Sequence, residues 1–499
     1  MKNTSLSSHA SALYLLSVLL LPAPSYAFDS GSTGADGVFN PGTDIELTLP
    51  PSGIFNFTTI DIPAGVTVTF AKNANNTHVT LLASGDVNIA GTIDVSGGNS
   101  PAVNDASQST DRNPGLGGPG GSDGGYGGLF VSAGDTKGGN GRGIGGGTRS
   151  AGSWVQSSTT TRGCGGGGGG FNGPGSTSGG GTGQCPFVTG GINYGTNNFF
   201  TLRGGSGGGG AAGGGNNVGS GGGGGGGALL IASSGVVSVS GSIVANGGNS
   251  GNNRDNQGQP GGTGGGGSGG AIRIIATAIT GEGDIAALKG TAGTVFLNSG
   301  SGVCSPQCRG GDGAPGRIKL EAEDLQRTSN TTPGYVFSPP RAIFLPNAPS
   351  IRISSVGGIS APANPTGNRD VVIPGTLSNN TLTVEFETTG VPLGTTISLT
   401  AKPVFRSSIR SVASTPVSGS VNSGTATADI DLANGENILE ATATFDVVAS
   451  LGQDFSNYAK GEPVEKIKVA ANSEGQSVTT FITKTGNEYT WPSNAVALN

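Results

Sequence analysis

Residues 79–99 read VTLLASGDVNIAGTIDVSGGN, and residues 228–249 read ALLIASSGVVSVSGSIVANGGN. Gly85, Val87, Ile89, Gly91, Ile93, Gly97, Gly98 and Asn99 recur as Gly235, Val237, Val239, Gly241, Ile243, Gly247, Gly248 and Asn249, every pair at the same offset of 150. A looser copy, AIRIIATAITGEGDIAALKG, occupies 271–290, where Gly283-Asp284-Ile285 matches Gly241-Ser242-Ile243. GRIKLEAEDL at 316–325 is a fragment of a fourth. Apolar residues alternating at period two, with glycine between short runs, specify strands joined by tight corners. Units of this kind cannot bury an apolar face alone, so they must stack. The expected fold is all-β, a solenoid of parallel strands with one face of each rung stacked inside.

Glycine interrupts this pattern heavily. The chain of 499 residues holds 99 glycines, and 52 of them fall between positions 97 and 226. No Gly-X-Y period exists, which excludes collagen. The tracts 97–226 and 247–270 read as insertions at one corner of the coil. Ordering them costs about 1–2 kcal/mol per residue in backbone entropy with almost no side chain to bury. Pro114, Pro119 and Pro174 favour extended backbone. Partial packing as polyproline II segments against the coil is the expectation.

The N-terminal segment, Met1 to Ala27, gives the compartment. Lys2, the apolar run LYLLSVLLL (13–21) and Ser25-Tyr26-Ala27 have the form of a secretory signal peptide cleaved before Phe28. The run is too short for a membrane anchor, and no later segment is long enough to span. Without Lys2 the mature chain carries 24 basic and 31 acidic residues, a net of −7. Basic residues are scattered singly, so no nucleic-acid partner is indicated. Export makes disulfides the expected state of Cys164, Cys185, Cys304 and Cys308, paired locally as 164–185 and 304–308. Structural zinc is the rival use of four cysteines, but neither pair has C-x₂-C spacing.

The run GIFNFTTIDIPAGVTVTF with HVTLLASGDVNIAGTIDVSGG, and the re-entry GGGGSGGAIRI, resemble the glycine-rich exported proteins of Gram-negative bacteria. The resemblance spans about residues 40–325. It implies a right-handed parallel β-helix with long glycine-rich insertions, at the cell surface or outside the cell, and carries over no catalytic residue.

The character changes after 327. Residues 328–348 are rich in Pro, Ser, Thr and Asn and read as a linker. Alternating strands over 349–447 argue a β-sandwich. VPLGTTISLTAKPVF with GTATADIDLANGENILEATATF resembles an immunoglobulin-like module of bacterial surface proteins, without the Cys pair and core Trp of antibody domains. Residues 448–499 read as a separate hairpin and tail.

Candidate sites are few. Arg317-Ile318-Lys319 matches the RIK triplet of polygalacturonases, but that family also needs Gly-His-Gly, and the mature chain's one histidine, His78, lies between Thr77 and Val79. Alternation of buried Ile with exposed Arg and Lys explains the triplet, and a solvated edge position explains His78. Asp86 and Asp94 form a carboxylate pair in sequence, yet Val236 and Val244 replace them in the next copy. The tracts at 117–125 and 309–316 come near calcium-binding nonapeptides, but Asp123 and Asp312 are misplaced. No Gly-Lys-Ser/Thr follows a strand, and no metal or cofactor is indicated. Trp154, Tyr194, Phe199 and Phe200, all inside the glycine-rich insert, either stack on sugar or pin the insert to the coil. The expectation is a secreted or surface structural, adhesive protein without catalytic activity. Its partner would be an extracellular polysaccharide or a cell-envelope surface. The alternative is a carbohydrate-active β-helix.

Overall fold

The computed structural model describes residues 28–104, 111–131, 134–157, 160–180, 185–195, 202–255, 258–297, 304, 306–341, 343, 348–362, 365, 370–373, 381–403, 409–447, 455–459, 461–471 and 477–493. The fold is all-β, and its first part is built on three parallel sheets, with one antiparallel pair beside them among the described residues. One sheet runs in the order Gly37–Phe39, Ile54–Ile62, Val79–Ala83, Ala228–Val239, Ala271–Thr280, Arg317–Leu325 and Val336–Ser338, with Val87–Ile89 continuing the Val79–Ala83 layer. A second stacks Ile45–Thr48, Thr67–Ala71, Thr92–Asp94, Ser242–Val244 and Asp284–Ala286. A third, which the sequence did not announce, stacks Val103–Asn104, Asn253–Asp255 and Val295–Leu297.

The pairing register is that of the sequence repeat. Val237 pairs with Val87, Val239 with Ile89 and Ile243 with Ile93, each at the offset that relates the two sequence copies. Ile243 also pairs with Ile285 of the looser copy, which is therefore the next layer. The fragment at 316–325 supplies the layer after that, pairing Ile272 with Ile318 and Ile274 with Leu320. Columns of β-branched and aliphatic side chains result, and Val68, Ile93, Ile243 and Ile285 are fully buried in one core. A one-residue slip would turn every one of them outward, which is why the register is fixed.

The glycine-rich tracts depart from the expectation of partial packing. Their described residues form an array of extended segments bonded through their backbones. In residues 222–227 every N–H donates and every carbonyl accepts, at 2.7–3.0 Å. The donors turn with a period of three: Gly222 and Gly225 to Gly125 and Ser122, Gly223 and Gly226 to Gly265 and Ser268, Gly224 and Gly227 to Gly98 and Val95. The acceptors face three further segments, taking N–H groups from Gly115 and Gly118, Gly208 and Gly205, and Gly248. Six neighbours around one chain with a three-residue repeat is the packing of polyproline II-type helices. A lone helix of that type has no hydrogen bonds of its own; here its neighbours supply them. Missing Cβ atoms let the backbones come close enough to bond, which offsets the entropy that argued for looseness. The disulfide Cys164–Cys185 closes part of the insert, and Cys304–Cys308 closes a short loop beside Val295, as expected.

Two boundaries need correction. Residues 328–338 belong to the parallel stack rather than to a linker: Ala287 donates to the Thr332 carbonyl, and Val336–Ser338 pairs with Lys319, Leu320 and Glu321. Pro333, Pro339 and Pro340 flank this edge strand, where a missing N–H breaks no ladder. Residues 464–493 are not a separate hairpin. Val464–Ala471 pairs along Asn437–Asp446, and Ser477–Thr483 and Glu488–Ser493 extend the same antiparallel sheet. That sheet and a second, built on Ser350–Val356, Thr381–Thr389 and Ser423–Asp431, share one core containing Val384, Phe386, Leu399, Ile467 and Phe481.

Candidate functional site

The corner segments after the second sheet carry a regular outer surface. Along each layer an outward residue recurs every third position: Ser96, Asn99 and Ala102, then Asn246, Asn249 and Asn252, then Leu288, Thr291 and Thr294. Side chains of one layer accept backbone N–H groups of the next. Ser96 Oγ accepts from Asn246, and Asn99 Oδ1 accepts from Asn249. The Oδ1 atoms of Asn246, Asn249 and Asn252 accept from Leu288, Thr291 and Thr294 at 2.8 Å. Thr291 Oγ1 also donates to Asn249 Oδ1. Inward of this ladder, Ser100 and Ser250 repeat the device on Gly251 and Gly293.

These bonds fix a grid of polar side chains, roughly 9 Å apart along a layer for a three-residue polyproline II repeat and about 4.8 Å between layers. At its rim the Arg254 guanidinium lies 5.7 Å from the ring centre of Phe296, which is 40% exposed. An amphipathic ring, a cation and a row of amide and hydroxyl groups suit a polyhydroxylated polymer. The matched Asn99 and Asn249 signalled the ladder in the sequence; the rest of the grid did not show because the paired positions carry different residue types, Asn246 against Leu288 and Asn249 against Thr291.

Of the insert's aromatic candidates, Tyr194 has the best-defined surroundings. Tyr194 packs against Phe171 at 4.8 Å between ring centres, and its hydroxyl donates to the Gly204 carbonyl and accepts from Ser206. It pins the insert. Trp154 lies on a hairpin, Ser153–Ser157 with Thr160–Gly163, opposite Arg162. Phe199 and Phe200 lie outside the described residues.

The RIK triplet has a different environment from the exposed one expected. Lys319 is buried, with its ammonium 2.6 Å from a carboxylate oxygen of the fully buried Glu321. Arg273 donates to both oxygens of the same carboxylate, at 3.1 and 3.2 Å. Arg317 donates to the carbonyls of Tyr194 and Phe171 and lies over the Phe171 ring. These side chains stand on the outer side of the first sheet, where Phe28, Leu82, Leu230, Ile275 and Phe171 form a second apolar cluster. They bind the insert to the coil, and burial pulls the Lys319 ammonium below its ordinary range against the pull of Glu321.

The remaining carboxylates and His78 have structural partners. Asp86 Oδ1 accepts the N–H of Val236 in the next layer, and Asp94 Oδ1 that of Ser96 in its own. Asp123 faces Lys72 at 3.4 Å and accepts from Gly117. Asp312 faces Lys289 and Arg309, both at 3.2 Å. His78 is half-buried beside Gly120, and burial holds its imidazole down at about 4, so it is neutral at neutral pH. Among the described residues no three His, Cys, Asp or Glu side chains gather as a metal set, and no helix is long and apolar enough to cross a membrane. Comparison with protein-family models, curated proteins and solved structures finds no significant match to this chain.

Proposed function

We propose that this chain is a secreted or cell-surface adhesive scaffold, in which a right-handed parallel β-helix bearing a packed glycine insert precedes an immunoglobulin-like module. The reading follows the likeness to glycine-rich exported bacterial proteins. The observation that carries it is the polar grid of Asn246, Asn249, Asn252, Thr291 and Thr294, ordered by layer-to-layer hydrogen bonds. A grid repeating in two directions favours a repeating ligand, and extracellular polysaccharide has that character. Rigid side chains lose little rotamer freedom on binding, so even weak contacts add up along a polymer.

The protein acts by presenting this wall, not by turnover. A glycan array probed with the mature chain tests the reading, with Asn252→Ala/Thr294→Ala/Phe296→Ala as the comparison. Retention on at least one polysaccharide, weakened about tenfold or more in the triple variant, is expected. No retention on any glycan, or retention indifferent to these residues, overturns it. Release of new reducing ends or unsaturated products from pectate, alginate or chitin would replace it with an enzymatic function.

A further inference from the structure

Each ladder asparagine has its oxygen committed to the next layer. A backbone N–H can be accepted only by the oxygen of an amide side chain, never by its nitrogen. The N–H groups of Asn249, Leu288, Thr291 and Thr294 therefore fix which way the amides of Asn99, Asn246, Asn249 and Asn252 face. Asn249 Oδ1 accepts twice, from the Thr291 N–H and from the Thr291 hydroxyl. What each amide has left is Nδ2, a group that only donates. Asn99, Asn249 and Asn252 are exposed, and their Nδ2 groups have no acceptor among the described residues.

The charges around the grid have the matching sign. The three segments 96–104, 246–254 and 288–296 contain Arg254 and Lys289 and no aspartate or glutamate, although the mature chain as a whole is acidic. Lys289 is held by Asp312, which also faces Arg309, both at 3.2 Å. Asp94 lies at the other end of the grid from Arg254, with Oδ1 turned to the Ser96 N–H. Arg254 is exposed, pairs in register with Asn104 and Phe296, and has no carboxylate partner among the described residues. Its guanidinium has only the Phe296 ring beside it, 5.7 Å to the centre.

We propose that the grid takes an acidic polysaccharide. Anionic oxygens of the polymer, uronate carboxylate or sulfate ester, accept from Nδ2 of Asn249 and Asn252 and from the Arg254 guanidinium, while a sugar face lies on Phe296. The inference rests on the adhesive reading above and narrows it. A row that only donates is complementary to groups that only accept, and hydrogen bonds to an ionised acceptor are about twice as strong as neutral ones. A sugar hydroxyl can use only its lone pairs here, so a neutral polymer leaves half of its bonding capacity unmatched.

Biolayer interferometry of the mature chain on immobilised polygalacturonate, its methyl ester, dextran sulfate and dextran tests this. Binding to polygalacturonate or to dextran sulfate is expected, and the one preferred tells carboxylate from sulfate. The uncharged counterpart of that polymer should bind about tenfold or more weakly, and affinity for the charged one should fall between about 0.05 and about 0.5 M salt. Asn249→Asp/Asn252→Asp keeps the oxygens that accept from Thr291 and Thr294, so the melting temperature should hold. The same change turns two donors into anions and should weaken binding to the charged polymer about tenfold or more. Arg254→Gln, which touches no ladder bond, should weaken it as well. Equal affinity for charged and uncharged polymers, or binding that both variants leave unchanged, overturns the acidic ligand and leaves the adhesive reading standing. Binding to neither charged polymer also overturns it, and the glycan array then shows separately whether the adhesive reading survives.

Discussion

A Cβ on Gly222 would lie 1.9 Å from the carbonyl oxygen of Gly208, a backbone atom that cannot swing away. The next residue, Gly223, accepts the Gly208 N–H at 2.9 Å, so any displacement that relieves the clash breaks the bond beside it. Gly222→Ala should therefore destabilise the protein by about 3 kcal/mol or more. Gly42→Ala, where no atom lies within 4 Å, should be nearly silent. Thermal melts of the two variants beside the parent make the comparison. Equal melting temperatures would mean that the array is looser than its hydrogen bonds imply.

Ile93 and Ile243 face each other across adjacent layers, and both are fully buried. Ile243→Asp should cost several kcal/mol, because it places a charge without a partner inside the core. Ile243→Val should cost only about 1 kcal/mol for one lost methylene. Chemical denaturation of both variants measures the two costs, and an aspartate tolerated at 243 would refute the register.

Glu321 accepts from Arg273 and Lys319 in a fully buried position. Removing its charge strands two cations on the outer side of the first sheet. Glu321→Gln should cost about 3–5 kcal/mol. Its second signature is loosening of the insert, seen as faster amide exchange around Phe171 and Tyr194, which Arg317 ties to the same sheet. Unchanged exchange there would show that the charge cluster does not hold the insert.

The layers were legible because their cause is local. Side-chain alternation along Val87, Ile89 and Ile93 fixes which face is inside, and the constant offset between the copies survives any structure inserted between them. Local disulfides were legible for the same reason. The glycine array was not, since a run such as residues 221–227 has no side chains to reveal its neighbours, and the six segments around it come from all over the insert. Lys319 was misread because alternation places it outside the core, while the insert that then covers that side is invisible to the pattern. Asn437–Asp446 ends the last strand of the expected module, and nothing in its alternation tells that another strand will pair with it.

His78 is held neutral by burial, with its pKa pushed down to about 4 from 6.5. The unfolded chain takes up a proton near pH 6.5 that the folded chain refuses until about pH 4, so stability falls as pH drops through that window. The loss is at most about 3 kcal/mol for a shift of this size. Glu282 and Glu462 act in a separate range: hydrogen bonds hold both at about 2, so their contributions are lost only below about pH 4.5. Denaturation midpoints across pH 4–6.5 should slope downward in acid for the parent and be flatter for His78→Gln. Parallel slopes would place the titrating group elsewhere.

The antiparallel part should fold only when its last three strands are included. A fragment of residues 349–447 ends with Asn437–Asp446 as an open edge, because its partner Val464–Ala471 is gone. It also loses Ile467, Val469 and Phe481, each fully buried in the shared core, and Thr479, whose hydroxyl donates to the Pro349 carbonyl. Three large apolar side chains contribute about 1.5–3 kcal/mol each on burial, which together reaches the whole stability of an ordinary domain. Residues 349–493 restore all of these contacts. Near-ultraviolet circular dichroism and a cooperative melt should therefore appear for 349–493 and be absent for 349–447. A shorter fragment that melts cooperatively at the same temperature as the longer one would show that residues 464–493 are an addition to the fold and not a part of its core.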